Sequence, residues 1–315
     1  MENIKTITII TPSFNQGQFI SETIESILKQ TGDFYIDYII IDGGSSDSTM
    51  DQVKKYELIL KENCVIKEYN GLNFYISSTD SEFNKCKGIS YRWKSESDTG
   101  QANAINKGFQ MAKGDIVAWL NSDDVYVDSL CIEKVFMFFR NTPDAYFIYA
   151  KGYRTDKNLK IMHEESYVTQ YQVNDLREID YILQPSAFWK TEILKTVGLL
   201  DEHLHYVFDW DYWIRCSEKY QLYFMDEFIS FNRIYSSNKS SKGDQKRIEE
   251  IVSFLIKHNS FTQRSFEVYI HEHYTSIINS LIYKNDFLQK SIDKLTNNWM
   301  IRFYIRLRRK VNSLF

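Results

Sequence analysis

Apolar β-branched runs alternate with segments of helical period through the first part of the chain. Ile4 to Ile10 reads as a buried strand, Thr11-Pro12-Ser13-Phe14-Asn15 as the turn after it, and Ile20, Ile24, Ile27 and Leu28 as one face of a helix. Tyr35 to Ile41 repeats the theme. That strand ends at Asp42-Gly43-Gly44-Ser45, and Ser48 or Thr49 can cap a helix reaching about Leu60. Farther on, Ala102, Ile105, Phe109 and Ala112 share one helical face, Gly114 ends that helix, and a strand from Asp115 to Leu120 runs into Asn121-Ser122-Asp123-Asp124. Three strands therefore deliver polar residues at their C-terminal ends, the edge where open parallel sheets bind ligands.

Between Asn70 and Tyr91 the sequence is polar, aromatic and without period, and it predicts an excursion from the α/β pattern. From about Gln245 to Phe315 turn signals nearly vanish and helix-compatible sequence dominates. A boundary is expected in the Ser-, Asn-, Lys- and Gly-rich stretch Ser236 to Gly243. The expected organisation is an α/β domain over 1–240 and a helical region over 241–315.

The 315 residues are 43% hydrophobic with only three prolines, which excludes a disordered or linker-rich chain and allows a large core. A formal net charge of −4 argues against a nucleic-acid partner. Cys64, Cys86, Cys131 and Cys216 are scattered without a C-x-x-C pair, so reduced thiols rather than a zinc site are expected. The apolar run at the start is too short for a signal peptide, and no run of about 18 apolar residues occurs, so a cytoplasmic location is expected.

Asp123 and Asp124 directly follow a buried strand, where paired carboxylates can project into a cleft and hold Mg²⁺ or Mn²⁺ through hard oxygen ligands. A turn or helix-capping role is the ordinary alternative for such a pair. No G-x-G-x-x-G follows the first strand and no G-x-x-x-x-G-K-[ST] occurs, which sets aside dinucleotide oxidoreductases and P-loop NTPases.

The run from Ser95 to Tyr126, with Thr11 to Asn15 and Ile41 to Thr49, resembles glycosyltransferase family 2 over roughly residues 4–235. The resemblance implies a GT-A fold, a Rossmann-like and mostly parallel sheet flanked by helices, followed here by a C-terminal helical appendage. It implies a metal-dependent, inverting transfer of one sugar from a nucleotide-sugar, commonly a UDP-sugar. It assigns the nucleotide to Thr11, Pro12, Ser13, Asn15, Asp42 and Gly43, with a carboxylate accepting from a base N–H. Asp98, Gly100, Asn106 and Lys107 match positions that close over the donor, Lys107 as a phosphate partner. Asn121 stands where many members carry the first Asp of a D-x-D motif, which leaves Asp123 and Asp124 as the metal ligands.

Tyr206 to Arg215 resembles the family's acidic motif, with Asp209 matching the catalytic base and Phe208 where Glu is frequent. Asp211 is the rival carboxylate, two residues on. Trp210, Tyr212 and Trp213 are candidates either for stacking on a sugar ring or for core packing. Gln184 to Trp189 resembles an acceptor-side turn, and Arg233 to Ser240 a segment near the diphosphate in which Tyr235 replaces a frequent His. The Gln-x-x-Arg-Trp signature of processive members is absent, which implies a single addition. The competing functions are a noncatalytic nucleotide- or carbohydrate-binding scaffold and a sugar nucleotidyltransferase; the latter would open with a basic Gly-rich phosphate loop.

The family further implies a glycan acceptor, lipid-linked and serving bacterial surface-polysaccharide assembly. At the C-terminus, Trp299, Met300, Phe303, Tyr304, Leu307, Val311 and Leu314 fall on one arc of a helical projection, with Arg302, Arg306 and Arg309 away from it. Such a segment suits peripheral attachment to an anionic cytoplasmic leaflet, or packing against the domain or in a homo-oligomer.

Overall fold

In chain order the elements are β1 (Thr6–Ser13), α1 (Ile20–Leu28), β2 (Thr31–Asp42), α2 (Thr49–Asn63), β3 (Cys64–Tyr69), β4 (Leu72–Ser77), β5 (Lys85–Ser95), α3 (Gln101–Met111), β6 (Ile116–Trp119) and β7 (Val125–Tyr126). Then follow α4 (Cys131–Asn141), β8 (Phe147–Thr155), β9 (Ala187–Lys190), α5 (Glu192–Thr196), α6 (Phe208–Ser217), β10 (Leu222–Arg233) and α7 (Asp244–Lys257). This computed structural model describes residues 5–77, 83, 85–162, 176–236, 238–239, 244–266, 269, 285, 287–288 and 290. The chain divides into compact units 1–260 and 261–315.

The strands form one ten-stranded sheet in the order β3-β4-β5-β2-β1-β6-β9-β8-β10-β7. Its centre, β5-β2-β1-β6, is parallel. Antiparallel pairs join β3, β4 and β5 on one side and bring in β9, β8 and β7 on the other, where β8 and β10 again run parallel. β1 is buried at all of its positions, as a strand covered on both faces requires. Ile7 and Ile9 join one core with Ile20, Ile24 and Ile27 of α1. Strand alternation turns Ile10 to the other face, where α3 lies so close that a Cβ on Gly108 would stand 2.5 Å from the Ile10 side chain.

The aperiodic stretch from Asn70 to Tyr91 is not an excursion: it contributes β4 and most of β5, the latter in parallel register with β2 from Thr31↔Lys85 to Asp42↔Ser95. Charged residues hide its period. Arg92 on β5 pairs at 2.7 Å with the fully buried Asp37 of β2, a long-range contact that no local pattern reports.

α7 belongs to the first unit, with Ile248, Ile251, Phe254 and Leu255 buried. All four cysteines are free. Among the described residues no helix is long and apolar enough to cross a membrane. The amphipathic segment 299–315 lies outside the described residues.

Candidate active site

The C-terminal ends of β1 and β6, the loop into α3, the N-terminus of α6 and the end of β10 surround a cavity of about 410 Å³. Of the residues singled out in the sequence, Pro12, Ser13, Asp98, Gly100, Asn121, Asp123, Asp124 and Asp209 line it together. Ser13 Oγ is buried and has no hydrogen-bond partner, an atom left for a ligand to satisfy.

The nucleotide-loop residues behind this wall brace one another. Asp42 accepts from the backbone N–H groups of Gly44 (3.1 Å) and Ser45 (2.9 Å) and from the hydroxyls of Ser45 (2.5 Å) and Ser95 (2.6 Å), so its buried carboxylate closes the loop after β2. Asn15, at a φ of 52°, accepts from Ser46 N–H at 2.9 Å, and its own N–H donates to Ser45 Oγ at 2.7 Å. Thr11 is buried and accepts from the Tyr38 hydroxyl at 3.1 Å. Gly43 permits a close approach, since a Cβ there would lie 2.5 Å from Asp98 Oδ2. Asp98 in turn accepts from Gly100 N–H at 2.9 Å.

Two expected donor-closing residues lie apart from the cavity lining. Lys107 pairs with Glu96 at 3.0 Å. Asn106 bonds to Leu200 and Glu202, tying α3 to the loop after α5. Arg233 lines the cavity, and the lysine that lines it as well is Lys239, from the stretch expected to be a domain boundary. Its ammonium donates to Gln101 Oε1 at 3.0 Å and stands 4.9 Å from the Phe208 ring centroid. Burial lowers its pKa to about 8, against the opposing pull of Asp209 and Glu250.

A polar chain crosses the site from Lys239. Gln101 donates to Asn121 at 2.8 Å, Asn121 donates to Gln184 at 2.9 Å, and Gln184 donates to the Trp119 carbonyl at 2.7 Å. Asn121 thus acts as a relay between neighbours, which an amide with both donor and acceptor can do and a carboxylate cannot. Beside it, Asp124 is buried and accepts from Asn232 (3.1 Å) and Arg233 N–H (3.0 Å). Asp123 accepts from the Tyr235 hydroxyl at 2.8 Å. Burial raises the pKa of both carboxyls, and the Asp123 charge raises that of Asp124 further. Arg233 is itself buried, donating to the Asp123 carbonyl at 2.9 Å and to Glu22 while lying over the Phe19 ring.

Asp209 and Asp211 part company on α6. Asp209 lines the cavity and accepts from Trp210 N–H at 2.9 Å; burial raises its carboxyl. Asp211 is buried against Arg215 at 2.7 Å, whose guanidinium also donates to the Val197 and Leu199 carbonyls. Trp210, Tyr212 and Trp213 are core residues, at most 2% exposed; Phe14, Trp119, Tyr206, Phe208 and Tyr235 line the cavity instead.

The family model for glycosyl transferase family 2 matches residues 8–77 and 77–198. The chain belongs to glycosyltransferase family 2. It is 24% identical over 234 residues to an uncharacterized glycosyltransferase of Methanocaldococcus jannaschii, covering 72% of this chain and 70% of that relative. A PGL/p-HBAD biosynthesis glycosyltransferase of Mycobacterium tuberculosis is 22% identical over 210 residues, 66% of this chain and 68% of its own. Among solved structures, an S. aureus TarS fragment in complex with UDP-GlcNAc superposes with a TM-score of 0.56 at 16% identity, covering 82% of this chain and 68% of that one. The mannosyltransferase PcManGT from Pyrobaculum calidifontis, in complex with GDP-Man and Mn²⁺, gives 0.54 at 12% identity, covering 98% and 80%. The enzyme therefore has the GT-A type of fold, a central sheet flanked by helices.

Of the cavity residues of this glycosyltransferase, Gln101, Asn232, Arg233, Tyr235 and Lys239 carry no signal at short range that marks them as site residues. Arg233, Tyr235 and Lys239 do fall in the segment that resembles the family's diphosphate region.

Proposed function

We propose that the enzyme transfers a single sugar from a nucleotide-sugar, a UDP-sugar by family resemblance, to an acceptor hydroxyl with inversion at the anomeric carbon. The observation that carries this reading is one cavity lined by Asp209 and by the pair Asp123 and Asp124. A base and a phosphate-handling pair then serve the same substrate. Both solved neighbours named above hold a nucleotide-sugar, which supports the donor class.

The nucleotide rests against Pro12 and Ser13, with Thr11, Asn15, Asp42 and Gly43 holding the loops that shape that wall and Asp98 closing from α3's side. Asp209 takes the proton of the acceptor hydroxyl as its oxygen bonds to the anomeric carbon. The bond from that carbon to the diphosphate oxygen breaks, and the nucleoside diphosphate leaves with the electron pair. Lys239 offers the departing phosphate a positive charge.

Asp123 and Asp124 provide hard oxygen donors, and among the described residues no group of three His, Cys, Asp or Glu forms a complete cage. A Mg²⁺ or Mn²⁺ ion held by one or two carboxylates and completed by substrate phosphates fits that set. When bound, such an ion supplies Lewis-acid neutralisation of the leaving diphosphate.

The acceptor is proposed to be a lipid-linked glycan, the class that the family resemblance implies. Attachment of segment 299–315 to an anionic leaflet would bring enzyme and acceptor to one surface. Incubation with a panel of nucleotide-sugars, Mn²⁺ and glycan acceptors tests the reaction. Sugar transfer with an inverted anomeric linkage is expected; pyrophosphate exchange, or donor binding without turnover, would replace it with a nucleotidyltransferase or a scaffold. Sedimentation with anionic liposomes, with and without 299–315, tests the attachment: equal binding by both refutes it.

A further inference from the structure

The N-cap residue of α6, Val207, makes no side-chain cap, and inside the first turn Asp209 takes the Trp210 N–H. The peptide groups that lead into the helix are bound from outside, by the Glu250 carboxylate of α7. It accepts from His205 N–H at 2.9 Å, Tyr206 N–H at 2.6 Å and Val207 N–H at 2.9 Å. Charged acceptors on neutral donors make the stronger class of hydrogen bond, and a negative charge at this end of a helix is favoured by its dipole. The residues so held lead straight into the cavity, which His205, Tyr206, Phe208 and Asp209 all line.

Phe254 near the end of α7 and His258 just past it reach the same helix. Phe254 packs on Trp210 with ring centroids 4.9 Å apart, and His258 reaches to 3.9 Å from Asp211. Glu250 is therefore not a surface residue that happens to find a donor; it sits on a helix that meets α6 through Phe254 and binds the N–H groups of residues 205–207, which lead into the proposed base.

We infer that Glu250 of α7 is a positioning residue for Asp209, acting through the segment 205–207 that leads into it. The inference rests on Asp209 being the base. A reacting group misplaced by about 1 Å can cost about 100-fold in rate, so loss of the three bonds is expected to act on turnover rather than on donor binding.

The experiment compares Glu250→Ala, Glu250→Gln and Asp209→Asn in the full chain by steady-state kinetics, calorimetric titration with UDP and Mn²⁺, and thermal unfolding. Glu250→Ala is expected to lower kcat between about 10-fold and 100-fold while the affinity for UDP changes less than about twofold. Glu250→Gln, whose amide oxygen still accepts, is expected to recover part of that loss. An unchanged kcat in Glu250→Ala, or a fall in UDP affinity matching the fall in kcat, overturns the positioning role. Near-normal turnover in Asp209→Asn overturns the assignment of the base instead, so the two failures are told apart.

Discussion

The hydroxyl of Tyr235 donates to Asp123 Oδ2 at 2.8 Å, so the residue standing where relatives frequently carry His touches the proposed metal ligand through oxygen. Its ring also packs on Phe19 at 5.0 Å, a contact that phenylalanine would keep. Tyr235→Phe should therefore leave packing intact and raise the Mn²⁺ concentration needed for half-maximal activity by about tenfold, as loss of a ligand's outer hydrogen bond does. A Mn²⁺ titration of activity checks this; an unchanged requirement would separate Tyr235 from the metal.

Asp209→Asn should reduce kcat by at least about 100-fold with donor affinity preserved, because general-base catalysis contributes on that scale. Asp211→Asn should act on stability instead. It leaves the Arg215 guanidinium without its carboxylate, and since that guanidinium is part-exposed and keeps two carbonyl partners, a loss of about 1–3 kcal/mol is expected. Denaturant unfolding and kinetics on the two variants give opposite patterns if the assignment holds. The reverse pattern would name Asp211 as the base.

The pH profile follows from two buried groups. Burial raises the Asp209 carboxyl, and Asp180 is raised by burial and by the Asp209 charge. The ionised base then forms only above the usual carboxylate range, and kcat/KM should fall on the acid side at a pH higher than an ordinary aspartate would give. Lys239, lowered to about 8, loses its charge as pH rises through that value, which places the alkaline limb near pH 8. Lys239→Met should weaken turnover and abolish the alkaline limb; a limb that persists would belong to another group.

Gly43→Ala would put a methyl group 2.5 Å from Asp98 Oδ2, the movable end of a side chain rather than backbone. The fold can absorb that shift and the cavity wall cannot. The melting temperature should stay within a few degrees while UDP affinity falls several-fold, measurable by thermal unfolding and titration on one preparation. Equal UDP affinity would show that Asp98 does not contact the donor.

What the chain's local pattern determined was the scaffold and the ends of its strands. Burial of both faces demands continuous apolar runs in β1, β2 and β6, and polar residues then collect where those runs stop, so the place of Ser13, Asn121, Asp123 and Asp124 at the cavity edge was legible. The tertiary structure decided what depends on distant partners. β5 was hidden because the carboxylate that satisfies Arg92 lies on β2, and the surroundings of the two α6 carboxylates, the cavity for Asp209 and Arg215 for Asp211, depend on distant packing. Lys107 and Lys239 lie in different surroundings for the same reason: where a lysine's ammonium ends up depends on the walls around it. Lys107 meets Glu96 beside the site, whereas Lys239 is carried into the cavity by the chain leaving β10. Glu250, in sequence one acidic residue of a helix, comes to hold the segment entering α6 only because packing brings its carboxylate to three N–H groups more than forty residues earlier. Short-range periodicity records which face of an element is buried, and it carries no information about which charge will be waiting on the other side.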